Sequence, residues 1–516
     1  MKNKDYLKFI KKCIRNHALL SSVLEEKLVK KFNIRPDYAR KIVSKFIKEK
    51  SIYSSENLLF DNGARGCSLS ASKNEYLCLL NEYKNYLFQI FKFMDSNDGI
   101  ISKQDICKIS GCLLKPTSKY LCFDKVLREM RYFFQIHEKI YNEQVFFVQN
   151  QHLESFDNNI DKIIKVKQTE KLFQYSFIKL LMSMNIIAKS FFYTNKNKPF
   201  YIINKHGIVF DAFSDNSIRG ITEDFSQNNN TIVVLDFNLL TEYTEDNLNN
   251  FYRRVQKLTY SIKETRRNVL PIVCIKNATP VVIDKIKKHN MLLYDFSNIM
   301  GKEFEQILNS YCKIVDSNNT EEQTQEIESV LKNIENKSDG IWGNIRGDLF
   351  DRTCILMIND IIGCDKIIDK RDSFNIEVGD KKAEIDYMVK TNEEIILFEF
   401  KAKKSKTVLG EFDTDKQKYD NDSLNKFFKY VLPLYKESKQ VPICKGCFIS
   451  ANGFYGEDAL KELNKLDNDE NICPINFLTH FDAKEFMKKS RETNNTLSAK
   501  NREILKKYYI DYFNNN

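Results

Sequence analysis

Between residues 383 and 403 the chain reads AEIDYMVKTNEEIILFEFKAK, and its apolar positions predict two strands joined by a polar turn at Lys390-Thr391-Asn392-Glu393-Glu394. The run Ile395-Ile396-Leu397-Phe398 is apolar enough for a central strand, and it ends in Glu399-Phe400-Lys401. Side-chain direction repeats every two residues along a strand, so Glu399 and Lys401 share a face. An antiparallel return through the turn brings Asp386 beside that face. Downstream, Leu424, Phe427, Phe428, Val431 and Leu432 recur at helical spacing and predict a helix over Asp422–Tyr435. A strand at Cys444–Ser450, a helix at Glu457–Lys465 and a strand at Cys473–Leu478 follow. Upstream, Gly347-Asp348-Leu349-Phe350-Asp351 opens the apolar run Cys354–Ile358, read as a buried helix carrying Asp351.

The rest of the pattern falls into further units. Helices are expected at Tyr6–His17, Val23–Phe32 and Pro36–Glu49, the last with proline in its first turn, where it is tolerated. Ile52-Tyr53 and Leu58-Leu59-Phe60 read as short strands. A similar order follows: a long helix at Asn74–Met94, a short helix ending near Ile109, a helix at Thr117–Met130, and strands at Tyr132–Ile136 and Gln144–Val148. The middle third predicts strands at Tyr201–Ile203, Ile208–Phe213 and Thr231–Phe237, a helix at Glu245–Glu264, a strand at Leu270–Ile275, a helix at Pro280–His289 and a strand at Met291–Phe296. Residues 316–323 are polar and breaker-rich, the best linker signal in the chain, and Glu326–Asn336 reads as a short helix after it. The expected domains are 1–65, 70–150, 165–315, a linker over 316–340, 341–485, and a helical tail over 486–516.

Composition adds bounds. A chain of 516 residues with 42% hydrophobic content has room for several cores. No apolar run reaches the roughly 18 residues a membrane helix needs, and the first residues lack the apolar core of a signal peptide. Thirteen cysteines are too sparse for a disulfide scaffold and read as reduced thiols, so a cytoplasmic location without membrane attachment is expected. Cys444 and Cys447 form a lone CxxC, better explained by strand alternation than by zinc. The net charge is +10, yet residues 1–60 alone hold 15 Lys and Arg against 6 Asp and Glu. Such a concentrated basic segment suits the phosphate backbone of duplex DNA.

Two carboxylates and an ammonium at one strand end suit metal-assisted phosphodiester cleavage: acid oxygens hold a hard cation, and lysine adds a positive donor. Asp386, Glu399 and Lys401, in the form E-I-D, strand, E-F-K, resemble the PD-(D/E)XK, or restriction-endonuclease-like, nuclease superfamily. Ile385 stands where that family often has proline. Glu384, two residues before the acid, is most similar to RecB-type and CRISPR-associated accessory nucleases. The resemblance implies an αβββαβ core and Mg²⁺, or Mn²⁺, held by Asp386 and Glu399. Glu384 or Asp351 would support the metal through water, and Lys401 would orient the nucleophilic water. Gln417 and Tyr419 lie near where RecB-like members place a Gln and a Tyr, at shorter spacing.

The first basic unit resembles a winged helix-turn-helix, which implies DNA contacts from Arg35, Arg40, Lys41 and Lys45. The unit at 70–150 resembles another winged helix and is less basic. In the middle third, Asp211 falls where Asp386 falls, and Asp236 and Asn238 fall where Glu399 and Lys401 fall. The expected fold class is therefore multidomain α+β and α/β, with winged-helix units followed by an inactive and then an active nuclease-like domain; a Rossmann-like layer remains open for the middle part. The expected function is a metal-dependent DNA endonuclease of restriction or phage-defence type. It would act as a homodimer, with a separate methyltransferase or defence partner. The alternative is a DNA-binding regulator or assembly protein that retains an idle nuclease fold.

Overall fold

A computed structural model describes residues 3–515 apart from 16, 60–63, 70–72, 116–119, 185, 194–198, 217–230, 264–267, 302, 318, 336–338, 404, 411, 414–417, 420–422, 442–443, 455 and 493–495. The chain is mixed α and β with several sheets. It divides into two compact units, residues 1–164, 185–194 and 200–296 in the first, and 165–184, 195–199 and 297–516 in the second. No helix among the described residues is long and apolar enough to cross a membrane.

The first unit opens with α1 (Asn3–Cys13), β1 (Leu19–Leu20), α2 (Ser21–Phe32), α3 (Pro36–Lys48), β2 (Tyr53–Leu59) and β3 (Arg65–Ser68), the strands pairing in the order β1-β3-β2. Asn33 in the left-handed region ends α2, and Pro36 starts α3 where its missing N–H has no partner to lose. Ile10, Leu24, Leu28, Ala39, Val43 and Phe46 fill the core between the three helices. Phe60, expected at the end of a strand, lies outside the described residues.

The next module holds α4 (Leu77–Tyr83), α5 (Asn85–Asp95), β4 (Ile100–Ser102), α6 (Lys103–Ser110), α7 (Phe123–Phe134), β5 (Ile136–Tyr141) and β6 (Gln144–Gln149), with strand order β4-β6-β5. Two expectations fail here. The helix expected over Asn74–Met94 breaks at Lys84, whose φ of −140° leaves the helical region. Lys84 and Tyr86 both bind the Glu129 carboxylate, which holds the break in place. Residues 132–134, expected as strand, complete α7 because Phe133 and Phe134 bury as part of its apolar face.

From α8 (Phe156–Ser183) the chain enters β7 (Ile187–Tyr193). A small hairpin, β8 (Asn204–Lys205) with β9 (Ile208–Val209), precedes β10 (Ala212–Asn216) and β11 (Ile232–Asn238). Then come α9 (Glu245–Ser261), β12 (Val269–Ile275), α10 (Pro280–Lys288), β13 (Leu292–Asp295) and α11 (Phe296–Met300). The sheet order is β13-β12-β11-β10-β7. Tyr201–Ile203 is not a strand of it: the edge position belongs to β7, which the expectation omitted.

The second unit continues with α12 (Phe304–Asp316), α13 (Thr320–Ile334) and α14 (Asp339–Ile362). The helix expected from Glu326 thus starts earlier, at Thr320, inside the polar stretch expected as linker; it buries Ile327, Val330, Leu331 and Ile334, and Asn319 caps it by accepting the Glu321 N–H at 2.9 Å. The second large sheet follows: β14 (Asp369–Val378), β15 (Lys381–Lys390) and β16 (Ile395–Lys401). After a short pair, β17 (Phe412–Asp413) and β18 (Lys418–Tyr419), comes a helix in two parts, α15 (Leu424–Lys426) and α16 (Leu432–Lys439), joined by a π turn over Phe427–Val431. β19 (Lys445–Ser450), α17 (Glu457–Asp467) and β20 (His480–Asp482) complete it, in the order β14-β15-β16-β19-β20.

The strand expected at Cys473–Leu478 is instead a turn: Cys473 donates its N–H to Asp469 and Phe477 to Pro474, so pairing with β19 starts only near His480. Phe427 and Phe428 pack so closely on β19 that a Cβ at Gly446 would sit 3.0 Å from the Phe427 ring. The tail forms α18 (Ala483–Lys489), α19 (Thr496–Leu505), a π turn over Lys506–Asp511 and α20 (Tyr512–Asn515). Tyr509 is buried, and its hydroxyl donates to the Arg346 carbonyl at 2.9 Å.

The two five-stranded sheets have one topology. In each, the first three strands run antiparallel to their neighbours and the last two join in parallel, with a helix before the first strand and single helical connections between the parallel ones.

Candidate active site

The site forms where β15 and β16 part. Their ladder runs from Lys390↔Ile395 to Tyr387↔Phe398. One residue further, the Asp386 carboxylate accepts the Phe400 N–H at 2.8 Å, a role a main-chain carbonyl would take if the ladder continued. This pins the acid at the strand end. Phe398 and Phe400 stack on the apolar side of β16, which turns Glu399 and Lys401 to the other. The Lys401 Nζ lies 2.7 Å from Glu399 Oε1 and 3.7 Å from Asp386 Oδ2. All three side chains are largely covered, between 14% and 19% exposed. The structure therefore brings together Asp386, Glu399 and Lys401.

Among the described residues Lys401 is the one cation at ion-pair distance from these two acids. Glu399 Oε2 is buried and makes no hydrogen bond. Burial, and next the Asp386 charge, push the Glu399 carboxyl up to about 7, against the opposing pull of Lys401 and, more weakly, of Lys426. An acid pair only half neutralised, with a buried oxygen lacking a partner, fits a hard divalent cation such as Mg²⁺ or Mn²⁺. Asp386 and Glu399 would hold it, water completing the shell. Among the described residues no three His, Cys, Asp or Glu side chains gather closely enough to hold a metal by themselves.

Of the supporting acids, Glu384 is exposed on the same strand face as Asp386, and its carboxylate accepts the Ser373 hydroxyl at 3.1 Å. Asp351 and Asp386 line one cavity of about 150 Å³, shared with Asp348, Arg352, Asp372, Lys165 and Tyr311. Arg352 pairs with Asp348 at 2.8 Å, and the Tyr311 hydroxyl donates to the same carboxylate. Ser373, beside Asp372 on the cavity wall, holds a φ of +35°, strained for any residue with a side chain. Sequence reasoning missed Asp348 and Asp372 as cavity residues: Asp348 lies within α14 one turn before Arg352, with nothing local to mark it, and Asp372 lies in a charged strand without alternation. Gln417 lies outside the described residues, and Tyr419 sits in β18.

The basic residues of α3 separate into two places. Arg40, Lys41 and Lys45 line one open groove with Ser44, Lys48 and Glu49. Arg35 is exposed at the opposite end of the helix, at its N-cap. Arg40 reaches Glu25 at 3.7 Å and Lys45 reaches Glu49 at 3.7 Å, both pairs too exposed and long to fix the side chains. Lys48 joins the groove because it follows Lys41 and Lys45 at helical spacing, a signal present in the sequence.

Comparison of this chain with protein families, with curated proteins and with solved structures finds no match.

Proposed function

We propose that the chain is a divalent-metal-dependent endonuclease that hydrolyses phosphodiester bonds in DNA at Asp386, Glu399 and Lys401. The observation that carries the reading is the half-neutralised acid pair, with Lys401 within reach of both carboxylates and one Glu399 oxygen left without a partner. A divalent cation would supply charge for the phosphate and acidify water there. Lys401, anchored on Glu399, would place its ammonium against the scissile phosphate as negative charge grows on it. Asp386, fixed by the Phe400 N–H, would stay aligned. The α3 groove would hold the duplex backbone through its lysines and Arg40.

Purified protein incubated with supercoiled plasmid and Mg²⁺ or Mn²⁺ tests this. Cleavage is expected for the wild type, with a loss of about a hundredfold or more for Lys401→Ala and for Asp386→Asn, the scale of losing one aligned charge at a reacting phosphate. Cleavage that survives both substitutions, or that proceeds equally in EDTA, rejects the site. A second reading, a DNA-binding regulator with an idle core, is favoured by the absence of three gathered metal donors among the described residues. It wins if the wild type binds duplex but cuts neither DNA nor RNA.

A further inference from the structure

The sheet of the first unit repeats the register of the candidate site residue by residue. Its β10–β11 ladder ends at Ala212↔Leu235, as the β15–β16 ladder ends at Tyr387↔Phe398. One step beyond, Asp211 accepts the Phe237 N–H at 2.9 Å, just as Asp386 accepts that of Phe400 at 2.8 Å. Asp211 thus corresponds to Asp386, Asp236 to Glu399, and Asn238 to Lys401. Asn238 leaves the site, its side-chain oxygen accepting the Thr241 hydroxyl at 2.9 Å.

The charge around the two acids differs. Lys108, from α6, lies 2.6 Å from Asp211 and 3.7 Å from Asp236. Arg254, from α9, lies 2.6 Å from Asp236 through Nη2 and donates from Nη1 to the Val209 carbonyl at 3.0 Å. The second Asp236 oxygen accepts the Tyr243 hydroxyl at 3.1 Å. Two acids face two cations, and every oxygen of Asp236 is occupied. Both acids are almost wholly buried, as is Arg254. The matching pair in the second unit faces one cation and keeps a bare oxygen.

We propose that the first unit's sheet is a locked copy of the candidate catalytic core, in which Lys108 and Arg254 take the place of the divalent cation. Lys108 is the removable part of the lock. It comes from a different module and keeps 14% of its side chain exposed, whereas Arg254 is walled in. The helix that carries it is set in position at both ends. Ser102 caps its start by accepting the Asp105 N–H at 3.0 Å, and Lys257 donates to the Gly111 carbonyl at its end, 2.5 Å away. Taking the Lys108 charge away leaves Asp211 and Asp236 with one cation between them, the charge balance of the other pair; Arg254 and Tyr243 still hold Asp236, so the divalent-cation site opens on the Asp211 side. The inference rests on reading Asp386 and Glu399 as a cation-holding pair.

The test is Mn²⁺ titration followed by electron paramagnetic resonance on the full chain carrying Asp386→Asn and Glu399→Gln, which silences the other site. That parent is expected to bind no Mn²⁺ tightly. Adding Lys108→Ala is expected to create one bound Mn²⁺ per chain, and further adding Asp211→Asn to abolish it. Lys108→Met keeps the aliphatic stem and carries the test should the alanine variant not fold. No gain of Mn²⁺ with a folded Lys108 variant overturns the proposal, and so does tight Mn²⁺ binding by the parent that Asp211→Asn removes. The unmodified chain distinguishes the two readings: if it binds no Mn²⁺ while the Lys108 variant gains a site, the nuclease reading fails and the lock stands.

Discussion

At the scale of residues, Glu399 ties the candidate chemistry to an equilibrium property. Its carboxyl stands near 7 in the folded chain against 4.5 for an ordinary glutamic acid, because burial and the Asp386 charge both oppose ionisation. Folding therefore takes up a proton at this position between those two values. The stability linked to that proton is complete below about pH 4.5 and is gone once pH rises past about 7, a difference of about 3 kcal/mol at most. Glu399→Gln carries no titrating group, so its melting temperature should fall less than that of the wild type between pH 5 and 8. Parallel melting curves for the two across this range would show that Glu399 is not so perturbed. Mg²⁺ should recover part of the wild-type loss at pH 8, because a cation favours the ionised acid.

At the scale of elements, the groove on α3 makes a prediction that does not depend on cleavage. Each lysine that neutralises a phosphate releases counterions and adds roughly 0.9 to the slope of log affinity against log salt. Lys41→Ala with Lys45→Ala should weaken duplex binding for all sequences alike and reduce that slope by about 1.8. Arg35→Ala, outside the groove, should change it little. Filter binding over a salt series decides: an unchanged slope in the double variant removes α3 from the DNA interface.

Elements also show what the chain made legible. The apolar run Ile395–Phe398 located β16, the alternation after it turned Glu399 and Lys401 to one side, and the acid of β15 followed from the turn between them. The helical spacing of Ala39, Ile42, Val43 and Phe46 located α3 in the same way. Elements whose limits rest on distant partners were not legible. β7 is an edge strand whose place is set by pairing with β10, and nothing local favours it over Tyr201–Ile203. The polar start of α13 looks like a linker because its apolar face begins only at Ile327. Lys108 and Arg254 were invisible for a related reason. Lys108 is 103 residues from Asp211 in sequence, and nothing in the spacing of α6 or α9 marks either cation as the partner of a buried acid.

At the scale of the whole molecule, the chain holds two acid pairs in matching registers but leaves only one of them short of positive charge. A chain with a single competent pair breaks one strand per encounter, since the two scissile phosphates of a duplex are antiparallel and need oppositely oriented sites. If the proposed chemistry is right, linear product requires two chains on one DNA. Mixing wild type with an excess of Asp386→Asn at constant total protein should therefore convert supercoiled plasmid to nicked circles and suppress linear DNA, because most pairs then contain one inactive member. Linear product that falls only in proportion to the wild-type fraction would mean that one chain cuts both strands. In that event the second cut must come from the same molecule, either by re-use of Asp386 and Glu399 or from an unlocked Asp211–Asp236 pair. Asp211→Asn in the otherwise unmodified chain separates these: it lowers linear product only if the first unit's pair contributes.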